Sequence, residues 1–180
     1  MRVISGTARG RRLRSLEGND VRPTTDKVKE AIFSSIQFDI EGRRFLDLFA
    51  GSGQMGLEAL SRGAASCVFI ERNDAAAKVC KENIAACGFE SSSKLIKGDA
   101  LSFLNTTNDK FDIAFLDPPY SDAVLEKALI LLSEKMSDYG VIICEHPSEA
   151  KLPENVGDFE VSKRYRYGKI NVTTYKKDNI

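Results

Sequence analysis

Four carboxylates stand where short apolar runs end: Asp47, Glu71, Asp99 and Asp117. The last opens the run Asp117-Pro118-Pro119-Tyr120. Two prolines cannot continue a sheet ladder, so the chain leaves its strand there in a stiff path. Pro119 also pushes Pro118 toward an extended conformation. Such a segment can hold a carboxylate and a free carbonyl in fixed geometry against a substrate. An amino group on an aromatic base is a poor nucleophile, because its lone pair is spread into the ring. Asp117 and the Pro118 carbonyl can both accept its N–H bonds, which holds the nitrogen toward a tetrahedral shape with its lone pair aimed at an electrophilic carbon. Tyr120 can stack on a base drawn out of its helix. Alone, the run fits a rigid strand exit with an exposed tyrosine equally well.

The residues after Asp47 tilt the balance. They read Leu48-Phe49-Ala50-Gly51-Ser52-Gly53-Gln54-Met55-Gly56. Glycines at 51, 53 and 56 allow a tight turn and close backbone approach before a helix. A pyrophosphate would be repelled by Asp47, whereas a ligand with an ammonium and a sulfonium would be attracted. The loop therefore favours S-adenosylmethionine (AdoMet) over a nicotinamide dinucleotide, with Phe49, Gly51, Ser52 and Gly53 around it. Glu71 can accept two hydrogen bonds from a ribose diol, and Arg72 can cover the adenine face. Asp99, followed by Ala100, can accept from an adenine amine or cap a helix, and the two roles can coexist. The implied chemistry is in-line methyl transfer carried by positioning and electrostatics. Asp117 is the obvious acceptor or relay for the released proton. Cys80 and Cys87 fall inside a predicted helix, which argues against a cysteine nucleophile.

These residues need strands and helices to position them, and the pattern supplies both. Val28, Ile32 and Ile36 form one helical stripe within Thr24–Phe38. Strands are expected at Arg44–Phe49, Cys67–Glu71, Lys94–Lys97, Phe111–Leu116 and Gly140–Cys144. Helices are expected at Gln54–Arg62, from an Asn73 cap to Gly88, near Leu101, and from Asp122 with Leu125, Ala128, Leu129, Leu132 and Met136 on one face. Two strands around Gly168 close the chain as an antiparallel hairpin. The fold class is α/β: a doubly wound, mostly parallel Rossmann-like sheet ending in that hairpin. Such sheets bind ligands at the carboxyl ends of their strands. Residues 1–23 read as a basic arm or hairpin, and 24–180 as the catalytic domain.

With 42% hydrophobic and 29% charged residues, the 180-residue chain falls in the soluble globular range. No apolar run reaches membrane-span length, and the first residues lack a signal-peptide core, so a cytoplasmic protein is expected. Cys67, Cys80, Cys87 and Cys144 have no CxxC spacing, and His146 is the one histidine, so no metal site is expected. Net charge is zero, yet Arg2, Arg9, Arg11, Arg12 and Arg14 precede any acid, and Lys163–Lys177 holds six basic residues and none acidic. Two basic ends point to an anionic partner met by one face. Arginine suits phosphate oxygens best, which nominates Arg9, Arg11 and Arg12.

Two further segments narrow the reading: Arg2-Val3-Ile4-Ser5-Gly6-Thr7-Ala8-Arg9-Gly10-Arg11-Arg12-Leu13 and Arg22-Pro23-Thr24-Thr25-Asp26-Lys27-Val28-Lys29-Glu30-Ala31-Ile32-Phe33. With the glycine loop, Glu71, Asp99 and the Asp-Pro-Pro-Tyr run, the chain resembles the RsmD family of bacterial 16S rRNA guanine-N2 methyltransferases. The resemblance implies a seven-stranded sheet with an N-terminal β-hairpin, AdoMet as methyl donor, and a guanine of 16S rRNA on an assembling 30S particle as acceptor. It assigns AdoMet to Asp47, Gly51, Gly53, Glu71 and Asp99, and the guanine amine to Asp117, Pro118, Pro119 and Tyr120. Arg22 joins the expected RNA contacts, and a monomer is expected. The family tail usually reads near Tyr-Gly-Asp-Thr, whereas this chain has Tyr167-Gly168-Lys169-Ile170. The alternatives are a DNA adenine-N6 methyltransferase, a non-catalytic nucleic-acid-binding module and a nicotinamide-linked oxidoreductase. Length leaves little room for a DNA target-recognition insert, and Asp47 argues against the oxidoreductase.

Overall fold

A computed structural model of the chain describes residues 1–17, 24–119 and 122–177. Arg22 and Tyr120 lie outside the described residues. Five parallel strands form the centre of the sheet: β1 (Arg44–Asp47), β2 (Ser66–Glu71), β3 (Ser93–Lys97), β4 (Phe111–Leu116) and β5 (Met136–Pro147). Three more, β6 (Asn155–Val156), β7 (Phe159–Tyr167) and β8 (Ile170–Lys177), add antiparallel to β5. The order is β3-β2-β1-β4-β5-β8-β7-β6. The sheet thus has eight strands where the resemblance implied seven, and two-residue β6 is too short for any periodicity to announce. The order reverses between β1 and β4, which opens a crevice at their carboxyl ends.

Both sheet faces are covered, so the inner strands are mostly apolar along their central residues. Phe45, Ile113, Phe115, Val141 and Ile143 meet one cluster, shared with helices α1 (Asp26–Ser35), α2 (Gln54–Ser61) and α3 (Asp74–Cys87). Leu46, Ala114, Leu116, Ile142 and Cys144 meet the other, under α4 (Ala100–Thr106) and α5 (Asp122–Ser133). Thr25, Asn73 and Asp99 cap α1, α3 and α4 through their side-chain oxygens. Met136 corrects the helical expectation: α5 ends at Ser133, and Met136 pairs with Phe111 as the first residue of β5. It enters the same cluster as Leu132, so a strand residue mimics the next helical position.

Residues 1–13 turn back on themselves through one Arg2–Arg12 bridge and bonds from Val3 N to Arg11 O and from Leu13 N to Met1 O. Val3 and Leu13 are buried in the α1–α3 cluster. The hairpin sits on α2: the Glu58 carboxylate accepts from Ile4 N and Ser5 N, and Ser61 accepts from Thr7 N and Ala8 N. Lys29, fully buried, lies 3.4 Å from Glu58 and donates to Arg2 O. Burial lowers the Lys29 pKa, and Glu58 opposes that shift.

Candidate functional site

The crevice holds a cavity of about 720 Å³, within the range of small-ligand sites. Asp47, Phe49, Gly51, Ser52, Glu71, Arg72, Asp99, Ala100, Asp117, Pro118 and Pro119 all line it. Gly53 does not reach the cavity: it is the N-cap of α2 at φ 84°, a left-handed conformation that favours glycine. Gly56 packs α2 on β2, since a Cβ there would meet Phe69 Cε1 at 2.3 Å. Arg9, Arg11 and Arg12 are exposed on the hairpin and do not line the cavity.

Each carboxylate has its own environment. Asp47 is 1% exposed; its Oδ2 accepts from Gly56 N at 3.0 Å, and its Oδ1 is buried with no partner among the described residues. Burial, reinforced by the nearby Glu71 charge, pushes its pKa up to about 7, against the pull of the Gly56 bond. Glu71 accepts from Gly51 N and Asn73 N, both at 2.8 Å, so it also shapes the glycine loop. Asp99 accepts from Ser102 N at 2.9 Å as the α4 cap and still borders the cavity. Asp117 is half-buried at the end of β4, and its pKa is raised by desolvation, then by Glu145, then by Asp47.

Glu145 joins them from outside the sequence motifs. It is buried, lines the cavity from β5 and accepts from Thr24 Oγ1 at 2.9 Å. Burial raises its pKa, against the Thr24 bond. A second residue of this kind is Asn83 of α3, which is 1% exposed. Its Oδ1 accepts from Arg14 N at 2.8 Å, while its Nδ2 donates to Arg14 O and to Ser52 O at 2.9 Å. One amide thus joins the base of the hairpin to the glycine loop, and Met1 and Leu16 complete the cavity wall. No local motif announces either residue. A run of acids on adjacent parallel strand ends is the only available signal for Glu145. The assembled cavity carries acidic groups against an apolar floor, which suits a cationic ligand, and a strand-end carboxylate beside two prolines, which suits an N–H donor.

A family model described as "Conserved hypothetical protein 95" matches residues 1–176. The chain belongs to this family, the RsmD family. Its relatives include the putative rRNA methyltransferase YlbH of Bacillus subtilis, 42% identical over 182 residues, covering 98% of this chain and 99% of the relative. The ribosomal RNA small subunit methyltransferase D of Escherichia coli is 32% identical, covering 99% and 90%. Among solved structures, the putative methyltransferase yhhF from Escherichia coli superposes with a TM-score of 0.90 at 33% identity, over 98% of this chain and 97% of that one. The RsmD fold of this chain thus extends from the docked hairpin to β8. No helix among its described residues is long and apolar enough to cross a membrane.

Proposed function

We propose that this chain transfers a methyl group from AdoMet to the exocyclic N2 amine of a guanine in 16S rRNA of the small ribosomal subunit. The observation that carries the reading is the convergence of Asp47, Glu71, Asp99 and Asp117 on one cavity at the reversal of strand order, in a family whose named relatives methylate small-subunit rRNA. The fit to AdoMet rests on the Asp47 Oδ1, a buried acceptor with no partner among the described residues, which suits a cationic donor. Glu71 keeps lone pairs free for a diol beyond its two backbone bonds. When bound, AdoMet supplies a methyl group made electrophilic by its sulfonium. Asp117 and the Pro118 carbonyl accept the guanine N–H bonds and orient the nitrogen lone pair. Burial makes Asp117 a better proton acceptor than an ordinary carboxylate. Tyr120 is assigned to stacking on the extruded base. The substrate is 16S rRNA, within an assembling 30S particle, and the protein acts as a cytoplasmic monomer.

Labelled AdoMet supplied with small subunits, free rRNA and duplex DNA, followed by digestion, tests the reading. The expected product is N2-methylguanosine from small-subunit rRNA. Label in N6-methyladenine of DNA would replace it with the DNA alternative, and no transfer to any nucleic acid would end it.

A further inference from the structure

The β7–β8 hairpin carries features that the cavity chemistry does not use. Its outer edge is nearly open among the described residues: β6 covers only Phe159 and Glu160, and one more bond runs from Val161 N to Glu154 O. Charged side chains guard such edges against aggregation, and Lys163, Arg164 and Arg166 meet that need. An exposed tyrosine does not. Yet Tyr165 is 41% exposed, although its cross-strand partner Val172 is 3% exposed. Tyr167, two residues on and therefore on the same face, stands 6.5 Å away with its ring tilted by 41°. Tyr167 packs against the cluster that holds Val3 and Leu13, so it backs Tyr165 on the side of the sheet where the basic N-terminal hairpin docks.

Most of the hairpin's own sequence carries charge of one sign. No acidic residue occurs between Val161 and Lys177. Arg164 is paired with Glu154 at 2.8 Å, but Lys163, Arg166 and Lys169 have no carboxylate within ion-pair distance among the described residues. The strip is continuous with the cavity, because Lys169 and Ile170 line its mouth. Tyr165 lies roughly 10 Å of strand from the turn at Gly168, at about 3.3 Å per residue. That distance suits neighbours of the target base rather than the base itself.

We infer that the β7–β8 hairpin is an RNA-contact surface, on which Tyr165 stacks an unpaired base of the strand carrying the target nucleotide while Lys163 and Lys169 follow its phosphates. The inference rests on the proposed rRNA reading. An aromatic face flanked by cations selects single-stranded nucleic acid, whose bases can leave the stack; a duplex offers phosphates but no free base.

The test measures the affinity of the intact protein for a fluorescent single-stranded RNA and for the same sequence in duplex form, across a salt series. Tyr165→Ala should weaken single-strand binding about 5- to 100-fold, the range for loss of one stacked base, and leave duplex and AdoMet affinity unchanged. Tyr165→Phe should bind like wild type. Lys163→Ala should instead flatten the salt dependence for both RNAs. Wild-type affinity in Tyr165→Ala, or equal losses on single strand and duplex, overturns the inference and leaves the rRNA reading intact. Failure of the wild-type protein to bind either RNA also overturns the inference, while the rRNA reading is decided separately by the labelled-AdoMet assay on small subunits.

Discussion

Asp47 shows how a binding site can work against folding. Its carboxyl is buried with one oxygen lacking a partner among the described residues, and its pKa is raised to about 7. The folded protein therefore keeps a proton that the unfolded chain releases near the ordinary value of 3.8. Stability must fall as pH rises from about 4 to 7, with the full penalty present above 7. Asp47→Asn removes the charge and keeps an acceptor for Gly56 N. The variant should be more stable than wild type at pH 8, on the order of a few kcal/mol at ~1.4 kcal/mol per tenfold change in proton affinity, and nearly equal near pH 4. Denaturant midpoints at the two pH values check this. The same variant should bind AdoMet more weakly at pH 8, because the ionised partner of a cation is gone. A variant that gains no stability would mean that Asp47 is solvated in the free protein. Asp117 separates binding from chemistry. Asp117→Ala should retain AdoMet affinity and lose most methyl transfer, read by calorimetry beside single-turnover assays. In wild type the transfer rate should fall with acidification at a pH above the ordinary carboxylate range, since burial and Glu145 raise the Asp117 pKa. Collapse of AdoMet affinity with turnover preserved at saturating cofactor would assign Asp117 to the wrong ligand.

At the scale of elements, Asn83 is the joint between α3, the hairpin and the glycine loop. Asn83→Ala removes the bonds to Arg14 N, Arg14 O and Ser52 O, and each ordinary hydrogen bond contributes about 0.5–1.5 kcal/mol. The expected result is a clear loss of stability together with several-fold weaker AdoMet binding, because the loop that lines the cavity loses its brace. Denaturation and calorimetry on one preparation check both, and unchanged AdoMet affinity would reduce Asn83 to a structural staple. The elements themselves are largely legible in the sequence. Phe111–Leu116 is read to the residue, because a strand buried on both faces is a mostly apolar run, here broken only by Asp112, between Lys110 and Asp117. The Asn73 and Gly88 limits of α3 follow from local cap chemistry. β5 starts earlier than Gly140 because cross-strand pairing of Met136 with Phe111 overrides a sequence that continues a helical stripe. The strand-end acids are legible because parallel α/β topology dictates where strand ends meet. Glu145 and Asn83 are not, since their roles arise only when β5 lies beside β4 and α3 beside the hairpin.

For the whole molecule, zero net charge conceals a division of labour among its arginines. Arg2 pairs with Asp26 at 3.3 Å and Arg14 with Glu82, so both tie down the ends of the hairpin. Arg9, Arg11 and Arg12 between them are exposed and form no ion pair among the described residues. The hairpin that presents them is prefolded: Glu58, braced by Lys29 and Arg62, holds its backbone from inside the core. A rigid cationic loop needs little ordering when it meets phosphate, so its contribution to RNA binding should be almost purely electrostatic. Removing one arginine–phosphate pair should reduce the slope of log affinity against log salt by roughly 0.7–0.9. Replacing all three arginines with alanine should therefore flatten the slope by about two to three and weaken rRNA binding most at low salt. The denaturant midpoint should hardly move, since exposed charges contribute little to stability. AdoMet affinity should also hold, because none of the three lines the cavity, whereas Met1 and Leu16 at the base of the same hairpin do. The measurement is rRNA affinity across a salt series with AdoMet affinity as control. An unchanged slope would move the phosphate-binding role to Lys163, Arg166 and Lys169 at the far end of the sheet. A loss of AdoMet affinity would show that the tip and the base of the hairpin act as one unit, with the RNA-facing loop transmitting strain to the cofactor loop through Arg14 and Asn83.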